Sequence, residues 1–470
     1  MDHAALKDRL TSIGQTGVLR FYDSLDDAGK TQLDAQLAAL DFAALPGLVD
    51  GYVKNKPKVD LPTDIKPVQA YPTTGTDDIY AKAQARGEEL LKQGKVAAFL
   101  VAGGQGTRLG YDGPKGEYPV TPIKNKPLFQ VFTEQLQAVS KKFGKPVPWY
   151  IMTSEANDAA TRAFFEKHHN FGYDKSLIRF FPQGMMPAFD AKSGDLLLAS
   201  KDSLALAADG HGGSFRALRK SGALDDMKAR GIEHLSYFQV DNPIVKVVDP
   251  LFIGLHDLTG SEMSSKTIGK AGPLEKVGNF CIGDGKTQVI EYSDLPEELA
   301  KKTNADGSLM FNAGSIAIHA LRVSFIDRLT APGSDLNLIW HRADKKVPFV
   351  NDAGETVKPS DPNGVKLEQF VFDAIPLAAN ALIYTTRRED EFSPVKNAEG
   401  NDSPATCKRD QVRLFARWLE AAGVSVPKKA DGEPDAVIEI SPLFASSADD
   451  LKTKTLQKKA IAPGESVYFG

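Results

Sequence analysis

The feature that most constrains this chain is an apolar run that ends in a cluster of glycines. Residues 96–102 read VAAFLVA, and Gly103, Gly104 and Gly106 follow directly. An apolar run of this length bounded by glycines is typical of a strand that is buried on both faces of a parallel sheet. The sequence therefore predicts an α/β core in which a glycine loop lies at the end of a buried strand.

Further strands and helices alternate along the chain. Segments 148–154 and 236–243 have strand character, and amphipathic helical segments begin near Leu128 and Asn157. Strands that alternate with helices indicate βαβ units. We expect a central Rossmann-like, mixed but mostly parallel sheet with helices on both of its faces.

The 470 residues exceed the size of a usual single core, so we expect several domains. Residues 1–94 are predicted to form a mainly helical domain that ends in a Pro- and Thr-rich arm, residues 95–396 the central domain, and residues 397–470 a small α+β domain with β-like segments. The alternative for the first segment is a helical cap on the central domain.

Charge and cysteine content exclude several classes of partner. Lys and Arg number 57 and Asp and Glu number 61, which gives a net charge of −4 without a long basic run. We therefore expect no nucleic-acid partner. The beginning of the chain is charged where a signal peptide is apolar, and no apolar stretch approaches the ~20 residues of a membrane span. Cys281 and Cys407 cannot form a disulfide framework. We expect a cytoplasmic protein without a membrane partner.

The glycine loop carries the strongest chemical signal. Residues 100–110 read LVAGGQGTRLG, and residues 113–116 read GPKG. Such a loop can direct backbone N–H groups at phosphate oxygens, and Arg108 and Lys115 add positive charge beside it. The dinucleotide fingerprint fails because position 109 is Leu, and the order Pro114-Lys115-Gly116 fails the Walker A motif. The alternative is a strand-to-helix turn with incidental charges.

This string resembles the signature of the UDP-sugar pyrophosphorylases. Further strings in the family's order are GMMPAF (184–189), ADGHGGSFRAL (208–218), VDNPIVKVVDPLFIG (240–254), VIEYSDL (289–295), MFNAGSIAIH (310–319), KPSDPNGVKLEQFVFD (358–373), REDEFSPVKNAEG (388–400) and EISPL (439–443). From about residue 95 to near the C-terminus the chain is similar to the UDP-N-acetylglucosamine pyrophosphorylase family. The resemblance implies a nucleotidyltransferase whose catalytic domain is the central one.

Two groups of site residues follow from this resemblance. Arg108, Lys115 and Lys396 would be catalytic, through their charge on the reacting phosphates. The expected nucleotide-binding residues are Leu100, Ala102, Gly103, Gly104, Gln105, Gly106, Thr107, Gln183, Gly210 and His211. Of these, the resemblance implies that Gln183, Gly210 and His211 contact the uracil base, and that His211 is not a catalytic base.

Asp241 is the predicted metal ligand. It lies at the C-terminal end of a predicted strand, and open parallel sheets bind ligands at the edge where the strands end. Its carboxylate could hold Mg²⁺ (or Mn²⁺) against phosphate oxygens, because Mg²⁺ prefers hard oxygen ligands. Asp241 as a loop or capping residue is the alternative. Lys246, nearby in the sequence, could also neutralise phosphate charge.

The resemblance also implies a sugar site. Its expected residues are Gly212, Asn242, Gly278, Glu291, Tyr292, Asn312, Gly314, Ser315, Phe370 and Phe372. Phe370 and Phe372 alternate as two side chains on one strand face would, and plain core packing is their alternative. His211 and Ser315 depart from the family pattern, which has Asn at each of these positions. Ala208 stands where Pro is expected.

The reaction implied by the resemblance joins UTP and N-acetylglucosamine 1-phosphate to give UDP-N-acetylglucosamine and pyrophosphate. Glucose or galactose 1-phosphate is the alternative substrate, since Ser315 departs from the family pattern. A nucleotide-sugar-binding module without turnover is a second alternative, and the failed glycine spacing disfavours an NAD-dependent oxidoreductase. We expect a monomer, with a dimer as the alternative.

Overall fold

The computed structural model describes residues 2–57, 61–75, 78–334, 336 and 338–470. By its internal contacts the chain forms two units. Unit 1 comprises Met1–Leu61, Gln183–Ser214 and Asn337–Ala374, and unit 2 comprises Pro62–Pro182, Phe215–Leu336 and Ile375–Gly470. The domain boundaries expected at residues 94 and 396 stay predictions.

The α-helices are α1 His3–Ser12, α2 Asp27–Ala38, α3 Leu45–Leu48, α4 Asp78–Lys92, α5 Leu128–Phe143, α6 Asp158–Lys167, α7 Ser214–Lys220, α8 Ala223–Ala229, α9 Pro250–Leu258, α10 Glu297–Ala300, α11 Val323–Thr330, α12 Arg388–Glu391, α13 Pro404–Ala421 and α14 Ala448–Lys452. The strands are β1 Ile65–Pro67, β2 Val96–Val101, β3 Trp149–Thr153, β4 Ile178–Pro182, β5 Met185–Pro187, β6 Phe189–Asp190, β7 Leu198–Ser200, β8 Ser203–Leu204, β9 Leu206–Ala208, β10 His234–Gln239, β11 Met263–Gly269, β12 Asn279–Gly283, β13 Lys286–Ile290, β14 Ala313–Arg322, β15 Trp340–Lys345, β16 Phe349–Val350, β17 Thr356–Val357, β18 Gly364–Gln369, β19 Ala381–Thr385, β20 Ala436–Ile440 and β21 Glu465–Phe469.

Unit 2 is built on a mixed sheet with the strand order β1-β12-β14-β10-β2-β3-β4. Strands β10, β2, β3 and β4 pair in parallel, whereas β14 pairs antiparallel with β10 and β11, and β12 pairs antiparallel with β1, β13 and β14. Strand β19 extends the sheet in parallel beside β11. The predicted mixed α/β fold is confirmed, and its parallel part is the half that contains β2.

The buried strand predicted from the apolar run is β2. Its residues from Val96 to Leu100 are almost completely buried, as expected for a strand with neighbours on both sides and packing on both faces. It is in register with β10, so that Val101 lies opposite Gln239. The loops that follow these two strands therefore leave the same edge of the sheet side by side.

Helix α5 follows the predicted pattern. Its buried face includes Leu128, Phe132 and Leu136, which recur at helical spacing and pack into the core of unit 2. The helix ends at Gly144, whose φ of 70° gives the left-handed backbone that commonly terminates helices.

Unit 1 has its own core, which joins the first helices to later segments. Leu10 in α1 and Leu33 and Leu37 in α2 are fully buried. They belong to one apolar cluster with Phe189 in β6 and Leu367 in β18. The N-terminal helices, which were predicted, thus share a core with chain segments more than 100 residues away.

The C-terminal region of unit 2 has the predicted helix and strands. Helix α13 begins with a capping box between Ser403 and Thr406. The helix packs with the parallel strands β20 and β21 around Leu419 and Ile438. In the described part of the chain, we find no helix with the length and apolar character needed to cross a membrane.

Candidate functional site

The glycine loop of unit 2 is held in shape by its own backbone. The N–H of Gly106 donates to the carbonyl of Gly113 at 2.9 Å, and the N–H of Lys115 donates to the carbonyl of Gly104 at 3.1 Å. Asn157 anchors the start of the loop, because its Nδ2 donates a hydrogen bond to the carbonyl of Ala102 at 3.0 Å. The loop is therefore a closed turn with a fixed backbone.

Part of this loop is free to bind an anion. Within the described part of the chain, no group accepts a hydrogen bond from the N–H of Gly103 or Gly104. A Cβ placed on Gly104 would meet nothing within 4 Å, so open space lies beside it. Unused N–H groups in a loop that has open space beside it are suited to phosphate oxygens.

A second glycine fixes how Lys115 is presented. Lys115 begins a short 3-10 turn, Lys115–Glu117, that contains Gly116. A Cβ on Gly116 would lie 2.1 Å from the ring of Phe129, the second residue of α5. Only glycine permits this close approach, which seats the Lys115 turn directly on the core helix.

Four predicted phosphate-site residues act on one another electrostatically. Burial lowers the pKa of Lys115, the carboxylate of Asp241 partly offsets that effect, and the charges of Lys396 and Arg108 lower the pKa further. Arg108 itself is exposed, in the 3-10 turn Thr107–Leu109. Unit 2 thus brings together three cations and one carboxylate beside the glycine loop.

The backbone joins the segments of Asp241 and Lys396. The N–H of Val395 donates to the carbonyl of Asp241 at 2.8 Å, and the N–H of Lys396 donates to the carbonyl of Asp402. Asn242 strengthens this link, because its Nδ2 donates to the carbonyl of Glu391 at 2.7 Å and its Oδ1 accepts from Ser393. The amide of Asn242, a predicted sugar contact, is thus engaged within the protein.

The residues around Asp241 fit a Mg²⁺ ion that also contacts a bound phosphate. No described residue donates a hydrogen bond to the Asp241 carboxylate, so its oxygens remain available. The described residues contain no group of three or more His, Cys, Asp or Glu side chains that could enclose an ion. Mg²⁺ commonly takes one or two carboxylates and completes its coordination with waters and substrate phosphates.

Other predicted sugar residues cluster elsewhere in unit 2. The N–H of Ser315 donates to the carbonyl of Gly278 at 2.8 Å. A Cβ on Gly278 would lie 3.0 Å from Oε1 of Glu291 and 3.8 Å from Cβ of Ser315. Gly314 lies in β14 where that strand pairs with β11 and β12, and Asn312 immediately precedes the strand. The sheet therefore gathers side chains that are far apart in sequence.

Lys270 is a cation that the sequence analysis did not identify in this group. Its N–H donates to Oδ1 of Asn312 at 2.8 Å, and its Nζ donates to Oδ1 of Asn279 at 2.8 Å. Burial lowers its pKa, and Glu275 partly opposes that effect. Tyr292, in contrast, is 46% exposed.

Unit 1 gathers the predicted base-binding residues. The N–H of Asp209 donates to the carbonyl of Gly184, which places Gln183 near the Gly210 turn. Gly210 has a φ of 83°, and a Cβ there would lie 2.4 Å from the carbonyl oxygen of Gln369. Both the backbone angle and the lack of space require glycine at this position.

His211 is held in one tautomer. Its Nδ1 accepts a hydrogen bond from the N–H of Val371 at 3.1 Å. Burial and the nearby His341 lower the pKa of His211 to about 4. The ring is therefore neutral at pH 7, with its proton on Nε2, and it can donate to a carbonyl oxygen. This chemistry is compatible with the predicted contact to uracil and gives no support to a catalytic base.

The expectation that Phe370 and Phe372 share a strand face is wrong. Strand β18 ends at Gln369, and residues Val371–Leu377 form a 3-10 helix. The strand ends there because the N–H of Val371 donates to His211 rather than to a neighbouring strand. The two rings nevertheless lie 5.1 Å apart, centroid to centroid.

The Phe370 ring stacks against two histidines. It lies 5.2 Å from the His211 ring and 4.1 Å from the His341 ring, and both pairs are nearly parallel. Nε2 of His341 is 2.7 Å from Oδ2 of Asp373. His341 was not predicted from the sequence, because no local motif distinguishes it. Gly212 packs here as well, because its Cβ would lie 2.6 Å from the backbone of Phe370.

Leu100 and Ala102 are predicted nucleotide contacts, but their side chains lie in the core, 0% and 1% exposed. These two side chains can support the glycine loop from within the core, and any side-chain contact with a ligand would come from the residues after them. Gln105 and Thr107 lie in the loop itself, partly buried and exposed respectively. All of the roles predicted for these residues stay predictions.

The chain is similar to known proteins along nearly its whole length. Residues 46–406 match the family model described as UTP–glucose-1-phosphate uridylyltransferase. The chain is 37% identical over 476 residues to the UDP-N-acetylhexosamine pyrophosphorylase-like protein 1 of Mus musculus, with 95% of this chain and 94% of that protein covered. It is 34% identical over 477 residues to the UDP-N-acetylglucosamine pyrophosphorylase of Saccharomyces cerevisiae, with 97% and 98% covered.

A solved structure is similar over nearly the whole chain. The uridine diphosphate N-acetylglucosamine pyrophosphorylase from Trypanosoma brucei, in complex with an inhibitor, superposes with a TM-score of 0.82 at 27% identity. The match covers 96% of this chain and 94% of that one. Sequence and fold therefore agree.

Proposed function

The chain belongs to the UTP–glucose-1-phosphate uridylyltransferase family, and on that premise we propose that it makes UDP-N-acetylglucosamine and pyrophosphate from UTP and N-acetylglucosamine 1-phosphate. The observation that carries the proposal is the group formed by Arg108, Lys115, Asp241 and Lys396 beside the glycine loop. Family membership identifies an enzyme whose substrates are UTP and a sugar 1-phosphate.

The proposed chemistry is an in-line displacement. A phosphate oxygen of the sugar 1-phosphate attacks the α-phosphorus of UTP. The bond from that phosphorus to the oxygen between the α- and β-phosphates breaks, and this oxygen leaves as a terminal oxygen of pyrophosphate. The attacking oxygen is already ionised at neutral pH, so no general base is needed. Catalysis then consists of aligning two polyanions and stabilising the charge that moves to the leaving group.

The cations have distinct parts in this proposal. The N–H groups of Gly103 and Gly104 would bind phosphate oxygens, and Lys115 would stabilise the charge on pyrophosphate. Lys396 would reduce the repulsion between the sugar phosphate and the α-phosphate. Asp241 would hold Mg²⁺ (or Mn²⁺), which when bound supplies positive charge at the phosphate oxygens.

The sugar is assigned from two considerations. The relatives from mouse and yeast carry names that specify N-acetylhexosamine or N-acetylglucosamine, and they match nearly the whole chain. Gly278, Glu291 and Ser315 form a polar group of the kind that binds sugar hydroxyls. Ser315 has a shorter side chain than the Asn of the family pattern and reaches less far toward a bound sugar. This difference favours glucose 1-phosphate as a second substrate.

The expected cytoplasmic location is part of the proposal. Cys281 and Cys407 are both buried free thiols, which supports a reducing compartment.

The test is release of pyrophosphate from UTP in the presence of each sugar 1-phosphate. Pyrophosphate that forms only when both substrates are present, together with UDP-N-acetylglucosamine, would support the proposal. Binding of UDP-N-acetylglucosamine without any turnover would identify a binding module instead. Omission of the sugar phosphate is the matched control, because it separates transfer from hydrolysis of UTP.

A further inference from the structure

A buried ion cluster lies in unit 2 outside the predicted site. Nζ of Lys266, on β11, is 2.7 Å from Oδ2 of Asp249 and contacts Oε1 of Glu391 at 2.5 Å. The side chains of Lys266 and Glu391 are both 0% exposed, and that of Asp249 is 10% exposed. Burying three charges is costly unless each lies beside an opposite charge, so the contacts among these side chains fix their positions.

The side chains around Lys266 restrict the position of its ammonium group. Its Nζ lies 5.2 Å from the centroid of the Phe252 ring and 5.9 Å from that of Tyr384. Two aromatic faces and two carboxylates thus define its position. We call the set formed by Lys266, Asp249 and Glu391 the lysine bridge.

Each carboxylate of the lysine bridge is tied to a segment of the phosphate site. Asp249 caps α9, eight residues after Asp241, by accepting from the N–H of Leu251. Burial alone would raise the pKa of Asp249, but the charges of Lys266 and Lys246 outweigh burial and hold that pKa well below its usual range. The Asp249 end of the bridge is therefore an ionised anchor.

Glu391 anchors the other segment. Its Oε2 accepts from Oγ1 of Thr386 at 2.7 Å, and its backbone carbonyl accepts from Nδ2 of Asn242. Five residues further along the chain is Lys396. The bridge therefore joins the segment that carries Asp241 to the segment that carries Lys396.

We propose that Lys266 is a positioning residue that sets the separation of Asp241 and Lys396 by holding one carboxylate from each of their segments. The inference rests on the proposed function, because it assumes that Lys396 acts on the reacting phosphates. Without the Lys266 cation, Asp249 and Glu391 lose the hydrogen bonds that join them, and the more distant Lys246, 4.0 Å from Asp249, only partly offsets their mutual repulsion. A displacement of about 1 Å between reacting groups can cost about 100-fold in rate.

The test is a double-mutant cycle with Lys266→Met, Lys396→Ala and the combined variant. We expect each single variant to lose about 100-fold in kcat. Because Lys266 acts through Lys396, adding Lys396→Ala to Lys266→Met should then cost less than about threefold. A merely structural role would leave the two losses independent.

Lys126→Met is the matched control. Lys126 is also buried, and its Nζ lies 2.6 Å from Oε2 of Glu134 and outside the lysine bridge. We expect this variant to lose stability but to keep kcat within about threefold of wild type. If Lys266→Met does not fold, Glu391→Gln replaces it in the cycle, because it keeps the side-chain volume and weakens the same contact.

Two results would overturn the inference, and they are distinguishable. Fully additive losses would show that Lys266 does not act through Lys396, while the proposed function would stand. A Lys396→Ala variant with wild-type kcat would remove Lys396 from the reaction, and the proposed role of that residue would fail together with the inference.

Discussion

Replacing Lys115 by Met should remove one positive charge from the proposed phosphate site while keeping most of the aliphatic packing of the side chain. Lys115 sits on a turn that is pressed against the core, and burial lowers its pKa. Its charge is therefore less screened than that of exposed Arg108. Phosphate charge in such a setting should interact with Lys115 more strongly than with a surface lysine.

The expected magnitude follows from that setting. A charge about 4 Å from a phosphate oxygen interacts by about 4 kcal/mol at an effective dielectric constant near 20. Loss of one preorganised electrostatic contact in an active site costs about 2.7–4 kcal/mol, or about 100- to 1,000-fold in kcat. We expect Lys115→Met to fall in this range and Arg108→Ala to lose less, because Arg108 is exposed.

The assay is pyrophosphate release from UTP and N-acetylglucosamine 1-phosphate at saturating substrate. Lys141→Met, on the exposed side of α5, is the control for loss of a lysine charge. Thermal unfolding of each variant confirms that the fold persists. A Lys115→Met variant that keeps kcat within about threefold of wild type would refute the electrostatic role of Lys115.

Three further predictions concern the same groups. Because burial lowers the pKa of Lys115, its charge is lost at a lower pH than the charge of an ordinary lysine, and kcat/KM should fall as the pH rises through that range. In Lys115→Arg the fall should move to higher pH, which a pH–rate profile measures. Chelation of divalent cations should abolish turnover and Mg²⁺ should restore it, while Asp241→Asn should need a higher Mg²⁺ concentration for half-maximal rate; full activity in chelator would contradict this role. The pKa of His211 is lowered to about 4 in the folded protein, so between about pH 6.5 and pH 4 the unfolded chain binds a proton that the folded protein does not, and the free energy of unfolding should fall over that interval. Urea unfolding at a series of pH values should show a smaller acid-induced loss of stability for His211→Asn. An unchanged pH dependence would show that His211 is not the cause.

The parts of the site that follow core strands could be predicted from sequence. The apolar run before Gly103 identifies a buried strand, and the carboxyl ends of neighbouring parallel strands meet at one edge of a sheet. That rule alone brings the glycine loop and Asp241 together, and β2 and β10 are indeed adjacent and in register.

The parts that depend on distant partners could not be predicted. Lys266 and Glu391 are 125 residues apart, and their pairing follows from the path of the whole sheet rather than from a local pattern. Phe370 and Phe372 alternate like strand residues, but a hydrogen bond between Val371 and His211, 160 residues away, ends the strand. Periodicity indicates which residues are apolar and does not reveal such competing partners.

The predicted sugar site lies between these cases. The family resemblance identified Gly278, Glu291 and Ser315 individually, and the pairing of β12 with β14 accounts for their proximity. The resemblance did not identify Lys270, whose Nζ binds Asn279. Lys270 lies in the loop between β11 and β12, and its contact with Asn279 depends on how that loop folds back on the sheet.

The most direct test of the proposed activity compares kcat/KM for N-acetylglucosamine 1-phosphate and glucose 1-phosphate, each with UTP. We predict that N-acetylglucosamine 1-phosphate is preferred, with measurable use of glucose 1-phosphate, because one hydrogen bond weakened by about 1 kcal/mol at Ser315 reduces discrimination only a few-fold. Ser315→Asn should then widen the preference. A preference for glucose 1-phosphate of more than about tenfold would contradict the assignment of the sugar.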